Sequence, residues 1–204
     1  MTGRLWLAAA GAALSLVGAS ALAQDASAED AALAALEEAL PGTLMNNPYE
    51  VDWVVYGDGY KGRVVAREAI PGGYAYEVKV RGKGKNPWDV SVQNEVRDGV
   101  AEGDVVLLAF WARAAKGGPV VFDPRVAERV APYDAAAQGR TTLSEDWQIH
   151  YVSGRAPRDW GPGELALNFN VATGKHTLEF GQYYVMNLGP DADLSAMPSG
   201  PSDP

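Results

Sequence analysis

Residues 74–94 read YAYEVKVRGKGKNPWDVSVQN, which is two alternating runs joined by a segment rich in Gly and Lys. In the first run, from Tyr74 to Val80, every second residue is apolar, and in the second, Val90 and Val92 alternate with polar residues. Successive side chains of a β-strand point to opposite faces, so this period of two predicts two strands, each buried on one side.

The phase of the second run predicts where Trp88 and Gln93 lie. Trp88 is in step with Val90 and Val92, so we expect it to close one end of the core beside the Asn-Pro turn that precedes it. Gln93 is out of step with them and is expected on the solvent side. The alternative for Trp88 is an exposed ring on which a sugar stacks.

Short runs of this kind continue as far as residue 189, separated by turns rich in Gly and Pro. About nine or ten strands at such spacing are typical of an all-β fold in which two antiparallel sheets form a sandwich. The sequence has no sustained helical periodicity after residue 40, which argues against an α/β fold.

The sequence divides into four predicted segments. Residues 1–23 combine an early Arg4, an apolar run and an Ala-Leu-Ala cleavage site, a pattern that predicts a signal peptide and a periplasmic or secreted protein. Residues 24–42 are expected to form a short lead-in helix and residues 43–189 the β-sandwich. Residues 190–204 are rich in Pro, Gly, Ser and Asp, which predicts a disordered tail.

The composition narrows the classes of function. The formal net charge of −9 argues against a nucleic-acid or anionic-lipid partner, and no segment of the mature chain is predicted to span a membrane. The sequence has no cysteine and only 2 histidines, which excludes disulfides and argues against a zinc or copper site. A neutral sugar remains compatible with this charge.

Strand phase predicts one polar face with a chemistry that suits carbohydrates. Side-chain amides and a guanidinium pair with sugar hydroxyls, and an indole supports the C–H face of a pyranose ring. The outward side chains of this kind are Gln93, Trp111, Arg113, Asn168 and Asn170. The alternative is an ordinary solvated sheet face on which a loop covers Trp111.

The same reasoning predicts the positions of the two histidines. In the run that begins at Trp147, Ile149 and Tyr151 are expected to face the core and His150 to face outward. His176 follows a Gly-Lys hairpin turn and is expected to face solvent.

Several segments, taken in order, resemble a known family. They include PGGYAYEVKV, NPWDVSVQN, GDVVLLAFWARA, APYD, LSEDWQIHYVSG and LALNFNVATGKHTLEFGQYYVMNLG. This order is similar to that in carbohydrate-binding modules with the galactose-binding-like jelly roll, in particular those N-terminal to family 10 (xylanase-type) glycoside hydrolases. The resemblance covers roughly residues 41–189.

This resemblance implies a monomeric, non-catalytic module that binds a polysaccharide or oligosaccharide. It places the ligand on the sheet that carries Gln93, Trp111 and Arg113, with the loop aromatics Tyr133 and Trp160 beside it. Relatives often hold a structural calcium ion, but the sequence does not identify ligands for one, and no other cofactor is implied.

Two other functions stay open. The same fold can serve as a structural or interaction domain of the cell envelope, with a protein partner on this face. A glycan hydrolase or esterase would need catalytic groups, for which Glu179 and the VSGRA segment (152–156) are the candidates, although Glu179 is better explained as a partner of Arg or Lys at the sheet edge. The basic segment from Lys79 to Lys85 is interpreted as a solvated loop, with contact to a uronic acid or sulfated glycan as the alternative.

Overall fold

The computed structural model describes residues 26–50, 53–198 and 200–201, and it consists of two β-sheets packed face to face. The larger sheet has seven strands: β1 (Thr43–Leu44), β3 (Tyr60–Ala66), β4 (Tyr74–Arg81), β6 (Val105–Lys116), β11 (Gln148–Arg155), β13 (Lys175–Asn187) and β14 (Gly200–Pro201). Their spatial order is β14-β11-β6-β13-β4-β3, and β1 also pairs with β13.

The smaller sheet has five strands: β2 (Val54–Gly57), β5 (Val90–Glu95), β8 (Pro124–Glu128), β9 (Ala135–Gln138) and β12 (Leu165–Asn170). Their order is β2-β5-β12-β8-β9, and a separate two-stranded sheet joins β7 (Val120–Phe122) to β10 (Thr141–Leu143). All these pairings are antiparallel among the described strands. The predicted antiparallel β-sandwich is therefore confirmed.

The core between the two sheets is built from alternate residues of the strands. Val92, Phe110, Phe169 and Phe180 are almost completely buried there. The Phe169 ring centroid lies 4.8 Å from that of Phe110 and 4.6 Å from that of Phe180, so aromatic contacts join the sheets across the sandwich. Because side chains alternate, the neighbours of these core residues on the smaller sheet, such as Gln93, face away from the core.

Helix α1 (Ala26–Ala39) forms a second apolar layer on the outer face of the larger sheet. Leu36 and Leu40 are buried there together with Leu107 and Ala109 of β6 and other apolar residues of the same face. A lead-in helix that packs on the sandwich is thus present. It also means that β6 is covered on both faces, once by the core and once by the helix.

Both histidines are buried, so the two expectations of exposure are wrong. The His150 ring stacks on Phe110, with the centroids 5.4 Å apart, while its neighbour Ile149 faces the layer under the helix. Strand phase gave the wrong direction for the His150 side chain because both faces of β11 are apolar. His176 lies under the β12–β13 turn, where its Nε2 is 2.9 Å from the carbonyl oxygen of Val171.

Trp88 does not close the core; it is 62% exposed. Residues Pro87–Asp89 form a 3-10 turn, and the strand begins only at Val90, so the alternation of the strand does not extend back to Trp88. The Asp89 carboxylate accepts a hydrogen bond from the Asn86 backbone N–H at 3.1 Å, which holds this turn in shape. The indole is therefore directed into solvent by the turn.

The two ends of the chain were expected to be a signal peptide and a disordered tail. Residues 1–23 lie outside the described residues. Near the other end, Arg155 donates hydrogen bonds to the carbonyl oxygens of Pro190 and Ala192, a 3-10 turn spans Leu194–Ala196, and β14 pairs with β11. Composition predicts disorder here, whereas these contacts give residues 190–198 a defined path. No described helix is long and apolar enough to cross a membrane.

Candidate functional site

A row of side chains crosses the outer face of the smaller sheet. The strand registers align one residue from each of the five strands in the order Val54, Gln93, Asn168, Arg125 and Gln138. We call this set the cross-strand row. It places two amides, a guanidinium and a third amide side by side on a surface that the core does not use.

The amides of the cross-strand row are only partly used by the protein itself. Gln93 Nε2 donates to Ser91 Oγ at 3.1 Å, and Asn168 Nδ2 donates to the Ala166 carbonyl oxygen at 3.0 Å. Within the described part of the chain, the side chain of Gln138 makes no hydrogen bond. Both donors and acceptors therefore remain for sugar hydroxyls, each of which can donate one hydrogen bond and accept others.

Exposed apolar side chains gather around the same face. Among the described residues, eight large apolar side chains are exposed, and only Val64 and Tyr74 belong to the larger sheet. Three of the other six are aromatic: Tyr56 is 52% exposed, Trp88 62% and Tyr133 53%. Exposed apolar side chains concentrated on one surface mark a binding site in a soluble protein.

Tyr133 is held in an unusual backbone conformation. Its φ is 64°, in the left-handed region that a bulky residue rarely adopts. The conformation is fixed by hydrogen bonds: the Tyr133 N–H donates to the Val130 carbonyl oxygen at 3.0 Å, and Arg125 donates to the Tyr133 carbonyl oxygen at 2.7 Å. The β8–β9 loop thus presents the Tyr133 ring at one side of the face, in contact with the cross-strand row through Arg125.

Two cavities lie along this face. The Tyr133 cavity has a volume of about 890 Å³, and its lining includes Tyr56, Gln93, Glu128, Tyr133, Arg158 and Glu164. The Trp88 cavity has a volume of about 640 Å³, and its lining includes Trp88, Asp123, Arg125, Gln138, Arg140 and Asn170. Each cavity contains at least one member of the cross-strand row, Gln93 in the first and Arg125 and Gln138 in the second, together with at least one exposed aromatic ring.

The wall of the Tyr133 cavity is braced by a buried carboxylate. Glu128 accepts hydrogen bonds from Trp160 Nε1 at 2.8 Å and from the Asp134 N–H at 3.1 Å, and it forms an ion pair with Arg158. The Arg158 guanidinium lies 5.2 Å from the centre of the Trp160 ring. Trp160, which the family resemblance implied as a ligand contact, is buried and supports the cavity from behind.

Trp111 and Arg113 lie on the opposite side of the molecule. They belong to β6, on the outer face of the larger sheet, where Trp111 packs against the layer under α1. Arg113 Nε donates to Glu179 Oε2 at 2.8 Å, and its guanidinium lies 5.0 Å from the centre of the Trp147 ring. The surface predicted from strand phase is therefore divided between the two sheets.

Glu179 is buried between two arginines on that larger sheet. Arg67 Nε and Arg113 Nε donate to it at 2.9 Å and 2.8 Å, and both of its oxygens are engaged. Burial alone would raise the pKa of Glu179, but the hydrogen bonds and charges of the two arginines outweigh burial and hold the pKa below its ordinary value. The expected ion-pair role is confirmed, but the expected position at the sheet edge is wrong, because β13 pairs with β6 on one side and β4 on the other.

The structure thus brings together four of the seven predicted site residues: Gln93, Tyr133, Asn168 and Asn170. Sequence reasoning missed Tyr56, Arg125 and Gln138, and it named an exposed Trp88 only as the alternative. The sequence marks Trp88 by its position in an Asn-Pro turn, and the short strands that carry Arg125 and Gln138 have too few residues to show a clear alternation.

The residues that the structure describes offer no group of three or more His, Asp or Glu side chains able to hold a metal ion. No ligand set for the structural calcium of the resembling modules is assigned.

No protein-family model matches the sequence, and no curated protein matches it significantly. Solved structures do match. One described as a CBM4 structure aligns with a TM-score of 0.54 and 17% identity, over 66% of this chain and 94% of that chain. The second N-terminal cellulose-binding domain of β-1,4-glucanase C from Cellulomonas fimi aligns with a TM-score of 0.52 and 21% identity, over 72% of this chain and 92% of that one.

A third match is a two-module structure of xylanase 10B from Clostridium thermocellum, which contains CBM22-1 and GH10 modules. It aligns with a TM-score of 0.50 and 13% identity, over 69% of this chain and 27% of that chain. Structural alignments at such low sequence identity show similarity of fold alone. This chain has the two-sheet jelly-roll fold of carbohydrate-binding modules, including those that occur with family 10 glycoside hydrolases.

Proposed function

We propose that this protein is an exported, non-catalytic carbohydrate-binding module that holds a polysaccharide or oligosaccharide along the outer face of its smaller sheet. The observation that carries the proposal is the cross-strand row of amides and Arg125, flanked by exposed Tyr56, Trp88 and Tyr133. Neighbours in fold are named as cellulose-binding or as complexed with xylohexaose, which supports the same class of ligand. Export rests on the signal-peptide pattern of residues 1–23.

The length of the face favours an oligosaccharide over a single sugar. The first and the fifth strand of the smaller sheet are separated by four interstrand spacings, which is about 19 Å at about 4.8 Å per spacing. Four adjacent strands each carry one hydrogen-bonding side chain of the cross-strand row, so successive sugar residues of a glycan that crosses the strands can each contact an amide or the guanidinium. A monosaccharide would leave most of the row hydrated.

The expected affinity is modest. A few stacked rings and solvent-exposed hydrogen bonds compete with water, so we expect a Kd of about 10 μM to 1 mM. The row needs no rearrangement to meet a ligand, because Gln93, Asn168 and Arg125 are already oriented by bonds to their own sheet or loop.

The environment of the carboxylates supports a role without catalysis. A glycosidase of the usual kind needs a carboxylic acid with a raised pKa and a second carboxylate across the scissile bond. Glu179 has a lowered pKa and lies on the other sheet, and Glu128 is bound by Trp160 and Arg158. A hydrolase or esterase function would require product release from a polysaccharide panel, which we do not expect.

The proposal predicts that the exposed aromatic side chains contribute much of the affinity for polysaccharide. Trp88→Ala and Tyr133→Ala each remove a stacking surface, so each is expected to weaken polysaccharide binding by about tenfold with little change in melting temperature. Affinity gel electrophoresis against plant, algal and bacterial polysaccharides, followed by calorimetric titration, measures this. Tyr74→Ala is the matched control, because Tyr74 is 37% exposed but lies on the larger sheet, and it should bind as the wild type does.

Two outcomes contradict the proposal. If no polysaccharide retards the wild-type protein, the face serves another partner, and a cell-envelope interaction domain becomes the better explanation. If Tyr74→Ala abolishes binding while Trp88→Ala and Tyr133→Ala do not, the ligand binds on the larger sheet.

A further inference from the structure

The Trp88 cavity contains a cation that the protein does not neutralise. Arg140 lies 3.7 Å from the Asp123 carboxylate, but Arg125 has no carboxylate partner among the described residues. Its one hydrogen bond goes to the Tyr133 carbonyl oxygen at 2.7 Å, and its Nε is buried without a partner. The other arginines that border this face, Arg129 and Arg158, each pair with carboxylates.

The basic segment singled out in the sequence lies beside this cavity. The Gly84 N–H donates to the Ala172 carbonyl oxygen at 2.9 Å, and the Ala172 N–H donates to the Pro87 carbonyl oxygen at 2.9 Å, so the loop is fastened next to Trp88. Lys83 and Lys85 are exposed there. Strand register brings Lys175 opposite Arg81 at the same end of the sandwich.

This end of the face is therefore cationic, although the chain carries a formal net charge of −9. Two carboxylates adjoin the Trp88 cavity in the described residues: Asp123 in its lining and Asp89 next to Trp88. Four basic side chains outnumber them: Arg125 and Arg140 in the lining, and the exposed Lys83 and Lys85 on the adjoining loop. In a protein that otherwise repels anions, a local excess of positive charge directs an anionic ligand to that place.

We propose that the Trp88 cavity binds a uronate residue of the glycan, with the sugar ring against Trp88 and its carboxylate on Arg125. The proposal rests on the carbohydrate-binding function above and names the class of ligand: an acidic polysaccharide. A guanidinium binds a carboxylate through charge-assisted N–H···O bonds, and Arg125 Nη1 makes no hydrogen bond within the described residues. Gln138 and Asn170 line the same cavity and suit the ring hydroxyls.

The test compares acidic polymers with neutral polymers of the same backbone. The probes are polygalacturonate, alginate and glucuronoxylan, each beside its carboxyl-reduced form, with dextran sulfate beside dextran as the sulfate-ester arm. Wild-type protein is expected to bind at least one uronate polymer about tenfold more tightly than the reduced form at about 20 mM salt. The preference should shrink at about 500 mM salt, because screening weakens the charge contribution.

Arg125→Gln should remove this preference, so that the variant binds a uronate polymer and its carboxyl-reduced form with affinities within about twofold of each other. Arg63→Gln is the control, since Arg63 is an exposed arginine on the larger sheet, paired with Glu77, and it should behave as wild type. Should Arg125→Gln fold poorly, Lys85→Gln on the exposed loop should still reduce the preference about twofold and lower its salt dependence.

The outcomes separate the two proposals. If neutral polymers bind as tightly as uronate polymers, or if only dextran sulfate binds, the uronate site is overturned while carbohydrate binding stands. If Arg63→Gln reduces the preference as much as Arg125→Gln does, the effect is one of overall charge and the site is again overturned. If no glycan of any kind binds, the carbohydrate-binding function itself fails.

Discussion

His150 shows how a single buried residue ties the stability of the sandwich to pH. Its ring is fully buried against Phe110, and burial lowers its pKa to about 4 from an ordinary value near 6.5. Between pH 6.5 and about 4 the folded protein therefore keeps this ring neutral, whereas the same histidine in the unfolded chain takes up a proton. Because the unfolded state binds the extra proton, the free energy of unfolding is highest, as far as His150 is concerned, above pH 6.5, and it decreases as the pH falls from 6.5 to about 4.

We expect the free energy of unfolding to fall by roughly 3 kcal/mol from His150 across this range. His150→Phe keeps a ring against Phe110 but does not titrate, so its acid dependence between pH 7 and pH 4 should be smaller by about this amount. Urea unfolding at both pH values measures it. His176, whose pKa burial also lowers, is present in both proteins and cancels in the comparison. Parallel pH profiles for the two proteins would contradict the assignment, and His150→Leu repeats the test if Phe packs badly.

At the scale of the strands, the sequence predicts side-chain direction correctly where one face of a strand meets water. In β5 and β12, Gln93, Asn168 and Asn170 were expected outside and lie outside, because polar and apolar residues alternate there. In β6 and β11 both faces are apolar, since the core covers one and the helical layer the other. Alternation then cannot tell the core face from the helix face, and this is how His150 was misplaced. Trp111 does point away from the core, but strand phase does not show that β6 lies in a different sheet from β5 and β12.

The rest of the candidate site depends on turns and on pairing between strands. Trp88 is directed outward by a 3-10 turn that ends before its strand begins, which strand phase does not take into account. Arg125 and Gln138 enter the site through the β8–β9 register, a contact between segments that sequence spacing alone does not fix. Tyr133 was expected from the resemblance, and the loop that presents it is held by Arg125.

Removal of helix α1 should lower the stability of the protein without changing its affinity for polysaccharide. The helix covers Leu107 and Ala109 of β6 with Leu36 and Leu40, on the side away from the cross-strand row. A chain that begins at Pro41 should unfold at a lower temperature and bind a hydrophobic dye, because it exposes this apolar layer. Its affinity for polysaccharide should stay within about twofold of the longer chain. Thermal melts, dye fluorescence and titration measure the three quantities.

The control for the helix is a chain that begins at Gln24, which keeps α1 and removes only the predicted signal peptide. An equal loss of affinity and stability on removing α1 would mean that the helix also shapes the binding face, contrary to the separation that the structure shows between the two sides.

The two sheets have different roles in the whole molecule. The outer face of the smaller sheet is the proposed glycan-binding surface, whereas on the larger sheet the ion pairs of Glu179 with Arg67 and Arg113 contribute to stability. Glu179→Gln leaves two partly buried arginines without their carboxylate, so we expect a loss of about 3 kcal/mol in the free energy of unfolding. A polysaccharide that binds only the folded protein should still raise the stability of this variant, by about 2.7 kcal/mol at a ligand concentration of 100 Kd. Trp88→Ala should show the reverse, with the stability of the wild type and an increment of about 1.4 kcal/mol from the same ligand concentration, because its affinity is about tenfold weaker. Melting each protein with and without ligand tests this independence, because a ligand increment that disappears in Glu179→Gln would place the ion-pair cluster in the binding site.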